Sequence, residues 1–228
     1  MTEPGRAESA AALAQCPRLA AGEPFDFVCA GCGDCCRNRR DLVLSGYDLY
    51  RIARRLGLSS RLTADAFCKQ EFAPQTLLPA VVLRPNARTG NCPFFEADAC
   101  TIHAARPLAC ALYPLGQAID PATAAMEYYV QLPLCGARVS AQEQRTLQNY
   151  LDDAAITARA GIDARWAVVC TQLSDKLQQA GGRENPRYLP AARRIARALY
   201  FDYSIQDDFY PQFNANTQAL WPLLDKML

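Results

Sequence analysis

Cys29-Ala-Gly-Cys32-Gly-Asp-Cys35-Cys36 places four thiols within eight residues, and no other stretch of this 228-residue chain constrains it as tightly. Thiolates are soft ligands suited to zinc and to iron–sulfur clusters, and a C-x2-C turn folds back far enough to aim two sulfurs at one centre. Gly31 and Gly33 fit such a loop, because its amides must approach the sulfurs and left-handed φ values come easily to glycine. Thiols at i, i+3 and i+6 also match the run in which three cysteines hold one cubane and a distant cysteine completes it. Cys92, Cys100, Cys110 and Cys135 are the candidates for that distant position.

Outward from the knot, the chain has 11 Cys against a single His. Cys29, Cys32, Cys35, Cys36, Cys92, Cys100, Cys110 and Cys135 form a set of eight, enough for one cluster with spares or for two four-thiolate sites. Adjacent Cys35 and Cys36 point to opposite faces of an extended backbone, which favours two sites sharing that corner. Gaps of seven, nine and twenty-four residues separate the later four cysteines, so the paired knuckles of ordinary zinc modules are missing there. That spacing favours an iron–sulfur cluster over zinc. Cys100-Thr-Ile-His103 is a legitimate C-x2-H pair for zinc, although a lone His is more often an ordinary hydrogen-bonded residue. Cys68 and Cys170 fall in segments expected to be helical and read as buried, inert thiols, and Cys16 as an ordinary one.

Composition excludes several classes. With 24 Lys+Arg against 23 Asp+Glu, the net charge of +1 supplies no field for gripping nucleic acid or an anionic membrane. No stretch approaches the eighteen or so uninterrupted apolar residues of a spanning helix. The N-terminal MTEPGRAESAAALAQC lacks a basic start followed by an apolar core, so a cytoplasmic setting is expected. There thiols stay reduced, and clustered cysteines point to metal rather than to disulfides.

The cysteines divide the chain into an N-terminal segment over 1–24, a Cys-rich metal- or cluster-binding domain over 25–136 and a helical extension over 137–228 packed on it. Ser45 with Asp48 three residues later reads as a capping box for a helix through Leu56, stopped at Gly57. A second helix is expected from Thr63 to Phe72, a strand between Pro79 and Pro85, a hairpin across Cys92–Ile102 and a strand over Met126–Leu132. Helical windows follow at Ala141–Ile156, Ile162–Ala180 and Pro190–Tyr200, and the segment beyond Asp202 is aromatic and acidic. The C-terminal aromatics, Phe201, Tyr203, Phe209, Tyr210, Phe213 and Trp221, read as core or lid before substrate groove. The expected fold class is α+β, a small Cys-rich domain with a short sheet and helices plus the helical extension.

Arg37, Arg39 and Arg40 follow the knot and Arg106 lies in the second cysteine set, where a guanidinium can neutralise an anionic cluster or hold an anion beside it. Arg37 and Arg106 are the candidate cofactor contacts, while Arg51, Arg54 and Arg55 read as a solvated helix face. Phosphate-binding loops, dinucleotide fingerprints and zinc-protease helices are absent from the sequence.

Phe27-Val-Cys-Ala-Gly-Cys-Gly-Asp-Cys-Cys36, Asn91-Cys-Pro-Phe-Phe95, Cys100-Thr-Ile-His-Ala-Ala-Arg-Pro-Leu-Ala-Cys110 and Tyr113-Pro114 together resemble the YkgJ-type CxxCxxCC cysteine-cluster family of zinc- or iron-chelating proteins. The match covers roughly residues 25–136 and departs from the family at His103, where a Tyr is usual. The same cysteine order is similar to the N-terminal part of flagellin lysine methylases, which use an iron–sulfur cluster. The resemblance implies that the eight cysteines are the ligand candidates and that the cofactor is an iron–sulfur cluster, of the 4Fe-4S type, or zinc. Two main functions follow, with a metal-free, thiol-based redox sensor as a third. One is an enzyme or maturation factor acting on a protein or peptide substrate, and the other is a non-catalytic, zinc-stabilised interaction module.

Overall fold

The computed structural model describes residues 13, 15–27, 29, 33–37, 42–131 and 145–228. Cys32, Arg39, Arg40 and Cys135 lie outside the described residues, as does the start of the window expected at Ala141. The fold is α+β.

Strand β1 (Arg18–Leu19) precedes a 3-10 turn, Asp34–Cys36, and β2 (Val43–Leu44). Helix α1 (Gly46–Leu56) starts at the expected capping box, with the Ser45 side chain accepting from the Asp48 amide and the Asp48 side chain from the Ser45 amide, and Gly57 ends it. Helix α2 (Ser60–Phe67) is capped by Ser59 and ends before the expected Phe72, because Cys68–Phe72 is strand β3. All five of those residues pair antiparallel with β4 (Pro79–Leu83), from Cys68 opposite Leu83 to Phe72 opposite Pro79. A partner strand thus overrides the local helical pattern, the usual way in which context decides strand formation.

The expected hairpin is β5 (Phe95–Glu96) and β6 (Ala99–Cys100), turning through Ala97 and Asp98, both at positive φ as in the two-residue primed turns. A 3-10 turn, His103–Ala105, then leads into helix α3 (Leu108–Leu112). Strand β8 (Met126–Val130) answers the expected strand, and β7 (Leu115–Ile119), whose Gly116 and Gln117 hide it from pattern reading, pairs with β8 along its length. Helices α4 (Leu147–Asp153), α5 (Ala160–Gln179) and α6 (Tyr188–Ala196) match the three helical windows, and a π-helical turn, Arg197–Phe201, follows α6. Helix α7 (Phe209–Met227) is unexpected from sequence, since Pro222 lies inside it. Its buried Phe209, Phe213, Thr217, Leu220 and Leu224 nevertheless keep helical spacing. No helix among the described residues is long and apolar enough to cross a membrane.

Two three-stranded antiparallel sheets, in the orders β1-β8-β7 and β2-β4-β3, stand beside the β5-β6 hairpin. The larger core joins α1, α2, β3 and β4 to α5, α6 and α7, and buries Tyr203, Phe209 and Phe213. A second core gathers Phe25, Phe27, Leu112, Leu115, Leu147, Tyr150 and Ile156. Residues 21–26 run against 145–148, with Phe25 N donating to Arg145 O at 2.8 Å and Leu147 N to Glu23 O at 2.9 Å. Cys68 and Cys170 are buried, Cys68 in strand β3 rather than in a helix.

Gly46 is where α1 meets the C-terminal helices. A Cβ there would stand 2.0 Å from the Leu199 carbonyl oxygen, within the π-helical turn, and 2.8 Å from the Trp166 ring. Gly46→Ala must therefore push backbone from backbone, and is expected to cost about 2–3 kcal/mol as an overpacked site. Gly161→Ala in α5 meets nothing within 4 Å, and is expected to stabilise by about 0.5–1 kcal/mol through helix propensity. Urea unfolding of the two variants checks both signs.

Candidate metal centre

The thiol site is built from two backbone units locked to each other. In the first, the Asp34–Cys36 turn is closed by Cys36 N and Arg37 N, which donate to Gly33 O at 2.8 and 3.1 Å. Because the backbone is helical there and not extended, the Cys35 and Cys36 sulfurs converge to 4.0 Å. Neighbouring cysteines can therefore face one centre, which corrects the expectation drawn from an extended chain. In the second unit Cys92 precedes β5 and Cys100 ends β6. Cys92 N donates to Cys36 O at 2.8 Å and ties the units together.

Gly33 makes that contact possible. Its φ is +73°, and a Cβ would meet the Phe95 ring at 2.3 Å. The hairpin thus lies directly on the knot. Arg37 adds an ion pair to Asp98 at 2.8 Å and stacks its guanidinium 4.9 Å above the Phe95 ring.

Six of the eight candidate cysteines, Cys29, Cys35, Cys36, Cys92, Cys100 and Cys110, line one cavity of about 270 Å³. Phe27, Leu42, Leu83, Phe94 and Ile102 supply apolar wall, and Arg106, His103, Tyr113, Tyr150 and the paired Arg145 and Asp153 supply polar groups. Arg106 lies against the His103 ring at the rim, and Arg37 is turned to the hairpin. Among the described residues no three His, Cys, Asp or Glu side chains converge closely enough to hold a single ion.

Protons are shared unevenly among the sulfurs. Cys36 contacts Cys100, Cys35 and Cys92, and these contacts together with burial push its thiol well above the ordinary range. Cys100 is lowered to about 7, first by the hydrogen bond from Cys36, then by the Ile102 amide and the Arg106 charge, against burial. Cys92 is lowered as well, by the Cys36 contact against burial and with help from the Phe94 amide. Both sulfurs thus accept an amide two residues on, an arrangement that stabilises thiolate and tunes bound metal. Burial and, after it, the neighbouring Arg106 charge lower His103 below the ordinary imidazole range.

Three residues outside the cysteine motifs clamp the wall that carries Cys100, His103, Arg106 and Cys110. Arg51 donates to Ala104 O at 2.8 Å and to Arg106 O at 3.3 Å, so it is not simply a solvated residue of α1. Asp48 Oδ1 accepts from Leu108 N at 3.0 Å, and the Tyr150 hydroxyl lies 2.9 and 2.8 Å from the carbonyl oxygens of Ala111 and Tyr113. Asp48 is 3% exposed and pairs with equally buried Arg159, whose Nη1 stands 2.8 Å from Oδ1 outside hydrogen-bond alignment. Arg159 also grips Asp163 in two parallel bonds of 2.7 and 2.8 Å. Burial opposes the Arg159 charge, but the two carboxylates more than offset it and raise the guanidinium. The capping-box pattern reveals Asp48 as a cap, while nothing in the local sequence reveals its second partner.

The profile of the CxxCxxCC family, described as "Putative zinc- or iron-chelating domain", matches residues 28–136. No curated protein and no solved structure matches the chain. The family match supports metal binding, with zinc or iron as the metal.

Gly33→Ala is expected to displace Phe95 and with it the hairpin bearing Cys100, weakening metal binding about ten-fold or more, as disturbed outer contacts do. Chelator competition against the parent chain measures the loss.

Proposed function

We propose that this chain, whose residues 28–136 form a CxxCxxCC domain, holds an iron–sulfur cluster of the four-iron type in the thiol-walled cavity. The observation that carries this reading is the gathering of six cysteines around one cavity of about 270 Å³. That space is many times the roughly 10–15 Å³ that a water requires. A structural zinc site, by contrast, is closed, with four sulfurs about 2.3 Å from one ion. Six of the donors around the cavity are sulfur, with His103 also on its wall, and thiolate is the ligand type that iron–sulfur clusters take.

Cys35, Cys36, Cys92, Cys100, Cys110 and Cys29 are the described candidates for ligation, joined by Cys32 and Cys135 of the motif. Arg106 at the rim compensates the charge of an anionic thiolate cluster. When bound, such a cluster supplies one-electron redox chemistry or a Lewis-acidic iron. Phe27, Tyr113 and Tyr150 line the same cavity, and a side chain of a protein or peptide substrate is the occupant assigned to the space beside them. A second reading rests on the Cys35–Cys36 separation of 4.0 Å, close to the edge of about 3.8 Å that a tetrahedron of Zn–S bonds requires. It makes the domain a zinc-stabilised interaction module.

Anaerobic purification followed by iron, zinc and acid-labile sulfide analysis separates the two. A coloured protein with iron matched by sulfide, about four of each per chain, is expected for the cluster. A colourless protein carrying zinc and no sulfide would overturn it in favour of the module. Cys92→Ser and Cys100→Ser are each expected to lower the iron and sulfide content together.

A further inference from the structure

We propose that Asp48 is the positioning residue of the thiol site, setting where the Cys110 sulfur stands by holding the Leu108 amide, with Arg159 and Asp163 holding Asp48 in turn. The proposal rests on Cys110 acting as a ligand, and is independent of which metal is bound.

Capping α1 uses only Oδ2 of Asp48, which accepts from Ser45 N at 3.2 Å. Oδ1, which also faces Arg159 Nη1 at 2.8 Å, reaches sixty residues along the chain to Leu108 N, the first amide of α3. Cys110 lies two residues further on, and its own amide donates to Pro107 O at 3.0 Å. A helix of five residues has little stiffness of its own beyond its ends. Its pose is therefore set by Asp48 at one end and by the Tyr150 hydroxyl at the other.

The surroundings of Asp48 suit this task better than they suit stability alone. A buried ion triad is often replaced by apolar residues at no loss, because desolvation consumes the Coulomb gain. Apolar residues cannot, however, accept an amide at a fixed point. The Arg159 guanidinium, seated 5.0 Å over the Tyr47 ring and bonded twice to Asp163, leaves the Asp48 carboxylate little freedom to rotate. Tyr47, Asp48 and Arg51 on α1 thereby connect the cysteine wall to the start of α5.

Leu108→Pro tests the contact directly, because it deletes the amide while proline suits the first position of a helix. Pro107 already has ψ 158°, which a following proline requires. Leu108→Ala removes the side chain and keeps the amide. Each full-length variant and the parent is loaded with cobalt(II), whose ligand-field and thiolate charge-transfer bands report sulfur geometry, and affinity is read by chelator competition. Leu108→Pro is expected to shift the bands and weaken cobalt binding about ten- to a hundred-fold, as loss of an outer contact does, while Leu108→Ala keeps the parent bands. Bands and affinity identical in the two variants would overturn the proposal. Should Leu108→Pro not fold by circular dichroism, Asp48→Ala decides, since it removes the acceptor of the Leu108 amide and unchanged cobalt bands in the folded variant overturn the proposal equally. A parent with cobalt–thiolate bands but without iron and sulfide fails the cluster reading and leaves the positioning role standing. A parent with neither cobalt–thiolate bands nor iron and sulfide removes the thiol site itself and overturns the proposal.

Discussion

The buried carboxylate of Asp48 has three partners from three parts of the chain: the Ser45 amide at the start of α1, the Leu108 amide at the start of α3, and the Arg159 guanidinium at the start of α5. Each contact alone is ordinary. Together they make one side chain the point at which the Cys-rich segment and the C-terminal helices agree on a geometry. Arg159 is 3% exposed and Asp163 4%, so water cannot substitute for any member. Removing one partner from such a group strands an uncompensated charge, which is far more costly than never having buried the group. The arrangement consequently behaves as a unit, and the wall carrying Cys110 inherits its definition.

Around the thiols the physical problem is different, because sulfur is a poor hydrogen-bond partner and a good metal ligand. Cys36 can donate its one proton to only one of Cys35, Cys92 and Cys100 at a time. The same contacts raise Cys36 and lower Cys92 and Cys100, so the three sulfurs are driven apart in acidity. Metal ions take thiolate rather than thiol, so metal held by these sulfurs would be coupled to proton release. The Phe94 and Ile102 amides already point at Cys92 and Cys100, so the backbone is organised for thiolate before any ion arrives.

Legibility in the sequence followed the range of the interaction. Helix α1 could be read because both caps are local, with Ser45 and Asp48 at one end and Gly57 at the other. The β5-β6 hairpin and β4 were equally plain, their turn and β-branched residues being adjacent in the chain. Strand β3 was misread as helix because its identity comes from β4 across a loop, and α7 was missed because Pro222 masked a stripe that only packing makes evident. The divergence expected of Cys35 and Cys36 assumed an extended backbone, whereas hydrogen bonds to Gly33 O curl it.

From sequence alone came the α+β class and the run of cysteine motifs, whose family model matches residues 28–136. These depend on residue type and short spacing, which survive in one dimension. Only the tertiary structure decided that six cysteines surround one cavity, that Arg106 faces it while Arg37 turns to Asp98, and that Asp48, Arg51 and Tyr150 hold its wall. Those outcomes join residues tens of positions apart. A carboxylate at position 48 finds an amide at 108 and a guanidinium at 159 because burying all three together leaves each with a partner.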